Sequence, residues 1–204
     1  MNNITIKEFV DDLASDKPIG GGCGCALVAA LAAALGQMVG SLTINKKKYI
    51  NNKQELTELM NDTSELINIL LQAIEDDQKA LYPLLQAYKL SKEDKSRDQI
   101  IQNALKQAAL SPYNLFLNIT KVIDLLQKYS QLGSPIALSD AATGAMLAHG
   151  ALYGAAINVK VNTTNIKDIE FKNKTEKQVD YLLDIYVKKA INIYNTVSER
   201  ICHD

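Results

Sequence analysis

Tryptophan is missing from this chain, and its nine tyrosines are scattered rather than interleaved with basic residues. With a formal net charge of -1, no basic field recruits nucleic acid, and none is expected as a partner. Cysteine is scarce. Cys23, Cys25 and Cys202 form an odd set with no readable disulfide framework, which favours a reducing cytoplasm. Histidine is scarcer, with only His149 and His203. Cys23-x-Cys25 and Cys202-His203 lack ordinary metal-ligand spacing, so small buried cysteines are preferred and no metal is expected. Residues 1–9 lack the basic start and apolar run of a secretory signal. Residues 26–43 have the length of a membrane span but consist largely of Ala and Gly, include Gln37 and have no companion span. A helix buried within an oligomer is expected there, without a membrane.

Strand-like alternation is also missing, which leaves an all-α chain. Glycine is confined: all ten fall in two windows, residues 20–40 and 133–154. The same windows are starved of charge. Residues 18–45 contain no Asp, Glu, Lys or Arg, and residues 129–159 contain only Asp140. Inside a helix, glycine costs about 1 kcal/mol relative to alanine. Two segments that both carry this cost are expected to meet each other, or a ligand, at short range.

Helical spacing begins at residues 5–14, with Ile6, Phe9, Val10 and Leu13 on one face. Gly20-Gly21-Gly22 reads as a loop before a small-residue helix over residues 25–42, in which Gly36 and Gly40 share a face. A long helix follows over residues 53–90, kinked by Pro83. Its stripe runs Leu56, Leu59, Met60, Thr63, Leu66, Ile67, Leu70, Ile74, Asp77 and Leu81. Residues 91–97 form a turn, residues 98–110 a helix, and Ser111-Pro112 starts another through Tyr129. Residues 138–161 and 174–201 complete a single-domain bundle, residues 1–204, of about six or seven helices.

Several residues carry two readings. The triple glycine is either a turn or a cradle of backbone amides for an anion. Lys46-Lys47-Lys48 is either a solvated helix end or an anchor for a polyanionic tail. Asp77 stands on an apolar stripe, where an acid needs a partner or a purpose. Asp140 follows Ser139 at a helix start, where capping alone would account for it. His149 is a packing residue or a proton shuttle, with packing preferred.

The segment from Gly20-Gly21-Gly22-Cys23-Gly24-Cys25 through Met38-Val39-Gly40-Ser41-Leu42-Thr43 to Lys46-Lys47-Lys48-Tyr49 resembles the opening signature of the cyclodeaminase/cyclohydrolase family. This family includes formimidoyltetrahydrofolate cyclodeaminase and small bacterial methenyltetrahydrofolate cyclohydrolases. Leu138-Ser139-Asp140 and the stretch from Gly154 to Thr163 are similar to a second signature. Asp77-x-x-Ala80 with Ala87-Tyr88-Lys89-Leu90 is similar to a middle motif. The chain departs from the pattern at Ile19, Cys25, Asn45 and Ser91, where members often have Pro, Ser, Gly and Pro. The resemblance implies an all-α fold, a homodimer and a tetrahydrofolate derivative as substrate, with no tightly bound cofactor.

Both family reactions move protons around one carbon bridging N5 and N10 of the folate, through or toward a cation, as a positioned carboxylate can assist. Asp140 and Asp77 are assigned to the reaction centre, with Lys47 or Lys48 as acid or orienting group. Gly20, Gly21 and Gly22 would hold the pterin or an anionic group, and Lys46 the glutamate carboxylates. Cys25, Tyr49 and Ser139 complete the expected binding set, and Asn158 and Asn162 offer amides one helical turn apart. The cyclohydrolase is favoured over the cyclodeaminase because these 204 residues hold no transferase domain to supply a formimino substrate. A non-enzymatic folate-binding dimer is the remaining alternative.

Overall fold

Alternating threes and fours of apolar residues fold into α1 (Ile6–Leu13), α2 (Gly21–Thr43), α3 (Lys53–Tyr88), α4 (Arg97–Leu132), α5 (Leu138–Thr163) and α6 (Ile169–His203). This computed structural model describes residues 4–17 and 19–203, apart from the side chains of Gln78, Leu81 and His203. Leu81 of the expected stripe and the imidazole of Cys202-His203 therefore lie outside the described residues. Among the described residues there is no strand, and the all-α expectation holds.

The two glycine windows meet. Helices α2 and α5 run antiparallel: Gly21 faces Asn158, Cys25 faces Gly154, and a Cβ on Gly144 would lie 2.9 Å from the Ala32 carbonyl oxygen. Helix α4 packs against both, while α3 flanks α2 and α6 flanks α5. Phe116, Ile119, Ile123 and Leu126 of α4 are fully buried against alanines of α2 and α5. The pair Gly36 and Gly40 faces elsewhere, bracketing the buried ring of Tyr129. That ring is fixed by its hydroxyl, 2.9 Å from Thr63 Oγ1. Gly150, by contrast, has open space where its side chain would be.

Three boundaries differ from expectation. The triple glycine is not a loop: Gly20 is the extended N-cap of α2, while Gly21 and Gly22 are already helical. No residue among those described has positive φ, so these glycines serve close approach rather than a turn. Helix α4 runs straight through Ser111-Pro112, because buried Leu105, Ala109, Leu115 and Phe116 hold both sides of the proline. Helix α6 starts at Ile169, where Asp168 Oδ1 accepts from the Phe171 N–H at 3.0 Å. On α1 only Phe9 is buried, while Ile6 and Val10 are exposed. A capping box between Thr5 and Glu8 supports that short helix.

The stripe of α3 is as expected, with Leu56, Leu59, Thr63, Leu66, Leu70 and Ile74 buried. Half-buried Asp77 interrupts it, and buried Leu84 and Ala87 follow further along α3.

Candidate functional site

Asp77 extends the buried row Leu70–Ile74 by one more helical step, which aims its carboxyl at the N-terminus of α2. There it lies flat on Gly22, and each oxygen faces a donor. Ser111 Oγ–H donates to Oδ1 at 3.4 Å, while Cys23 Sγ lies 3.7 Å from Oδ2 and shares its one proton between that oxygen and the Ile74 carbonyl at 3.5 Å. Burial raises the Asp77 pKa above the ordinary carboxylate value, and the two hydrogen bonds oppose that rise. The same burial, with the Asp77 charge beside it, pushes the Cys23 thiol up to about 11. The pair is therefore a carboxyl with raised proton affinity beside a thiol that stays protonated.

A cavity of about 190 Å³ opens at this point. Asp77 and Gly20 line it together with Asn158 and Asn162 of α5, Lys17 and Ile19. Ala80 and Ala108 complete the lining. Pro112 has no N–H to offer the Ala108 carbonyl one helical turn back. The amide of Asn158 is held by the Gly154 carbonyl at 2.7 Å. Lys17, paired with Asp12, is the cation among these lining residues.

The other candidates sit at the far end of the bundle. Helix α2 separates the two ends by its 23 residues, about 35 Å at the rise of an α-helix. At that end Lys46 Nζ donates to Ser134 Oγ at 2.7 Å, and exposed Lys47 and Lys48 begin a 3₁₀ segment, Lys47–Asn52. The Lys48 ammonium stands 6.0 Å from the centre of the Tyr49 ring. Asp140 occupies the first turn of α5, half-buried, where the helix dipole favours a carboxylate. Ser139 lines a separate, largely apolar groove with Met146, Tyr194, Val197 and Cys202.

Within one chain, then, Gly20, Asp77, Asn158 and Asn162 share a cavity, with Gly21 and Gly22 beside it. Asp140, Ser139, Lys46, Lys47, Lys48 and Tyr49 do not reach it. Cys25 is half-buried, its sulfur filling the place where Gly154 lacks a side chain, and it is not among the lining residues of the cavity. Cys202 lies at the opposite end of the bundle from Cys23 and Cys25, and the described residues contain no cluster able to hold a metal ion. His149 sets its ring edge-on to Tyr153 at 5.2 Å, on α5.

Residues 5–181 match the formiminotransferase-cyclodeaminase family. The chain belongs to that family. It is 35% identical over 204 residues to a methenyltetrahydrofolate cyclohydrolase of Methylorubrum extorquens, with 98% of each chain covered. To the formimidoyltransferase-cyclodeaminase of Rattus norvegicus it is 28% identical over 96% of its own length, which corresponds to 37% of the rat protein. A solved structure of formiminotetrahydrofolate cyclodeaminase from Thermotoga maritima superposes with a TM-score of 0.85 at 26% identity, covering 97% of this chain and 98% of that one.

Three residues around Asp77 escaped the sequence reading of the site: Lys17, which lines its cavity, and Cys23 and Ser111, which approach its carboxyl. Lys17 lies between the first helix and the triple glycine, Cys23 looked like core, and Ser111 like a helix start. The position of Ser111 opposite Asp77 depends on the register between α3 and α4, which no local pattern encodes.

Proposed function

We propose that this protein is a methenyltetrahydrofolate cyclohydrolase that converts 5,10-methenyltetrahydrofolate and water to 10-formyltetrahydrofolate, acting in the cytoplasm without a tightly bound cofactor. The observation that carries this reading is the 35% identity to the Methylorubrum cyclohydrolase, which runs over 98% of both chains. The Asp77 cavity supports it chemically. Water adds to the cationic methenyl carbon and loses one proton; the hydroxyl then gives up its second proton as the carbon–N5 bond breaks and N5 takes one, so one proton is released overall. A carboxylate in a poorly solvated cavity favours the cation, and its raised proton affinity suits it to accept and return a proton. Asn158 and Asn162 offer amides to the pterin, and the N-terminus of α2 at Gly20 offers backbone N–H groups to an anion.

The working unit in this proposal is a homodimer. The most apolar window of α2 is only 44% buried within its own chain. Leu31, Met38 and Leu42 of α2 and Tyr153, Ile157 and Val161 of α5 are exposed, with no charge among them, and a second copy would cover them. A two-fold axis perpendicular to α2 reverses the helix direction. It brings the Lys46–Lys48 and Asp140 end of one copy toward the Asp77 end of the other, so that the assigned residues can meet in one site.

A second reading, formimidoyltetrahydrofolate cyclodeaminase, is favoured by the structural similarity to the Thermotoga enzyme. Purified protein given each substrate separates the two. Loss of the methenyl absorbance supports the cyclohydrolase, and its appearance with ammonia from 5-formiminotetrahydrofolate supports the cyclodeaminase. Binding of both without turnover points to a folate-binding protein and overturns the enzymatic reading.

A further inference from the structure

We infer that Ser111 is a positioning residue for Asp77, holding the carboxylate in one orientation jointly with Cys23. This rests on the reading that Asp77 is the reacting carboxylate. A mid-helix serine ordinarily turns its hydroxyl back to the carbonyl four residues earlier. Ser41 does so to Gln37 at 3.1 Å and Ser64 to Met60 at 2.9 Å. Ser111 instead reaches across from α4 to α3 and spends its single donor on Asp77 Oδ1. Cys23 serves the other oxygen from α2, and Gly22 supplies the wall behind. Three elements thus fix one short side chain, leaving its second lone pairs for substrate or water.

The two donors are unequal, and this makes the inference testable. A thiol is a weak donor and a hydroxyl a better one. Within one chain the titratable groups facing Asp77 are Cys23 and Cys25 on α2 and Lys17 ahead of it, and α4 and α5 present the neutral Ser111, Asn158 and Asn162. The proposed dimer adds Lys46, Lys47, Lys48 and Asp140 of the second copy, which the Ser111 variants leave unchanged. Changing either donor therefore adds no charge, and any movement of the Asp77 titration reports the hydrogen bond itself.

The experiment follows kcat and KM for methenyltetrahydrofolate against pH in Ser111→Ala, Ser111→Thr and Cys23→Ser, with melting temperatures as the folding control. Loss of the donor in Ser111→Ala is expected to move the acid limb of kcat/KM upward by about half a pH unit and to lower kcat more than it raises KM. Ser111→Thr keeps the hydroxyl and should return the limb toward wild type. Cys23→Ser, with the stronger donor, should move it downward. An acid limb that stays at the wild-type pH in folded Ser111→Ala overturns the inference. If Ser111→Ala does not fold, an unmoved limb in Ser111→Cys, whose thiol is the weaker donor, does the same. Full turnover by Asp77→Asn would instead remove the underlying reading of Asp77, so the two failures are distinguishable.

Discussion

A side chain on Gly22 would stand 2.5 Å from Asp77 Oδ2, so the carboxylate occupies space that only glycine leaves free. Gly22→Ala is expected to displace Asp77 from Cys23 and Ser111 and to lower kcat/KM by about 10²-fold, the scale on which a misplaced catalytic group acts. Helix propensity works in the opposite direction, since alanine in place of glycine gains about 1 kcal/mol. The result should be a protein of near-normal melting temperature with poor turnover. Steady-state kinetics beside thermal melts checks this.

Asp77 itself should show activity and stability pulling apart. Its folded-state pKa is raised, so the native protein binds this proton more tightly than the unfolded chain. That contribution is fully present below the unfolded pKa and is lost as pH rises through the folded one. At neutral pH the ionised carboxyl is therefore a burden on the fold. Asp77→Asn is expected to cost about 10² to 10⁴ in turnover while raising the melting temperature. The gain in melting temperature should grow with pH across that window and then level off. A melting temperature that falls equally at every pH would show that the carboxylate is stabilising after all.

How much of this was legible beforehand depends on which forces act locally. The α3 stripe from Leu56 to Ile74 could be read because burial on one face repeats every three or four residues. Asp77 could be singled out because it breaks that stripe. The meeting of the two glycine windows could be read from their shared lack of charge. Other features turn on packing that no local pattern carries. Pro112 forecast a helix break, but buried neighbours on both sides hold α4 continuous. Gly36 and Gly40 announced close approach without naming Tyr129 of α4 as what approaches. Asp77 and Asp140 were both assigned to the reaction centre, yet the antiparallel run of α2 and α5 sends them to opposite ends of the bundle.

The Tyr129 pocket offers a test of packing away from the chemistry. Thr63 Oγ1 gives its proton to the Leu59 carbonyl at 2.6 Å, so the Tyr129 hydroxyl must donate in the 2.9 Å contact with Thr63. Tyr129→Phe leaves Thr63 bonded and should cost about 1 kcal/mol. Gly36→Ala places a methyl group 2.9 Å from the Tyr129 ring and 3.1 Å from Leu126. Overpacking of about 1–3 kcal/mol then outweighs the propensity gain of about 1 kcal/mol. Denaturant unfolding should rank wild type above both, with kcat unchanged in each.

The proposed dimer makes a prediction that neither inactive variant can meet alone. If Asp77 of one copy works with Asp140 of the other, Asp77→Asn and Asp140→Asn should each be inactive. A refolded equal mixture should nevertheless recover activity. Half of the randomly formed dimers are mixed, and each mixed dimer carries one site with both carboxylates intact, so about a quarter of wild-type activity is expected. A site contained in one chain gives no recovery, because every chain then lacks one acid. Gly150→Arg supplies the complement, since Gly150 has open space within its own chain and lies on the helix that carries exposed Tyr153 and Ile157. It should leave the monomer folded, shift sedimentation toward the monomer, and abolish the recovery by mixing. An active, monomeric Gly150→Arg would show that one chain suffices.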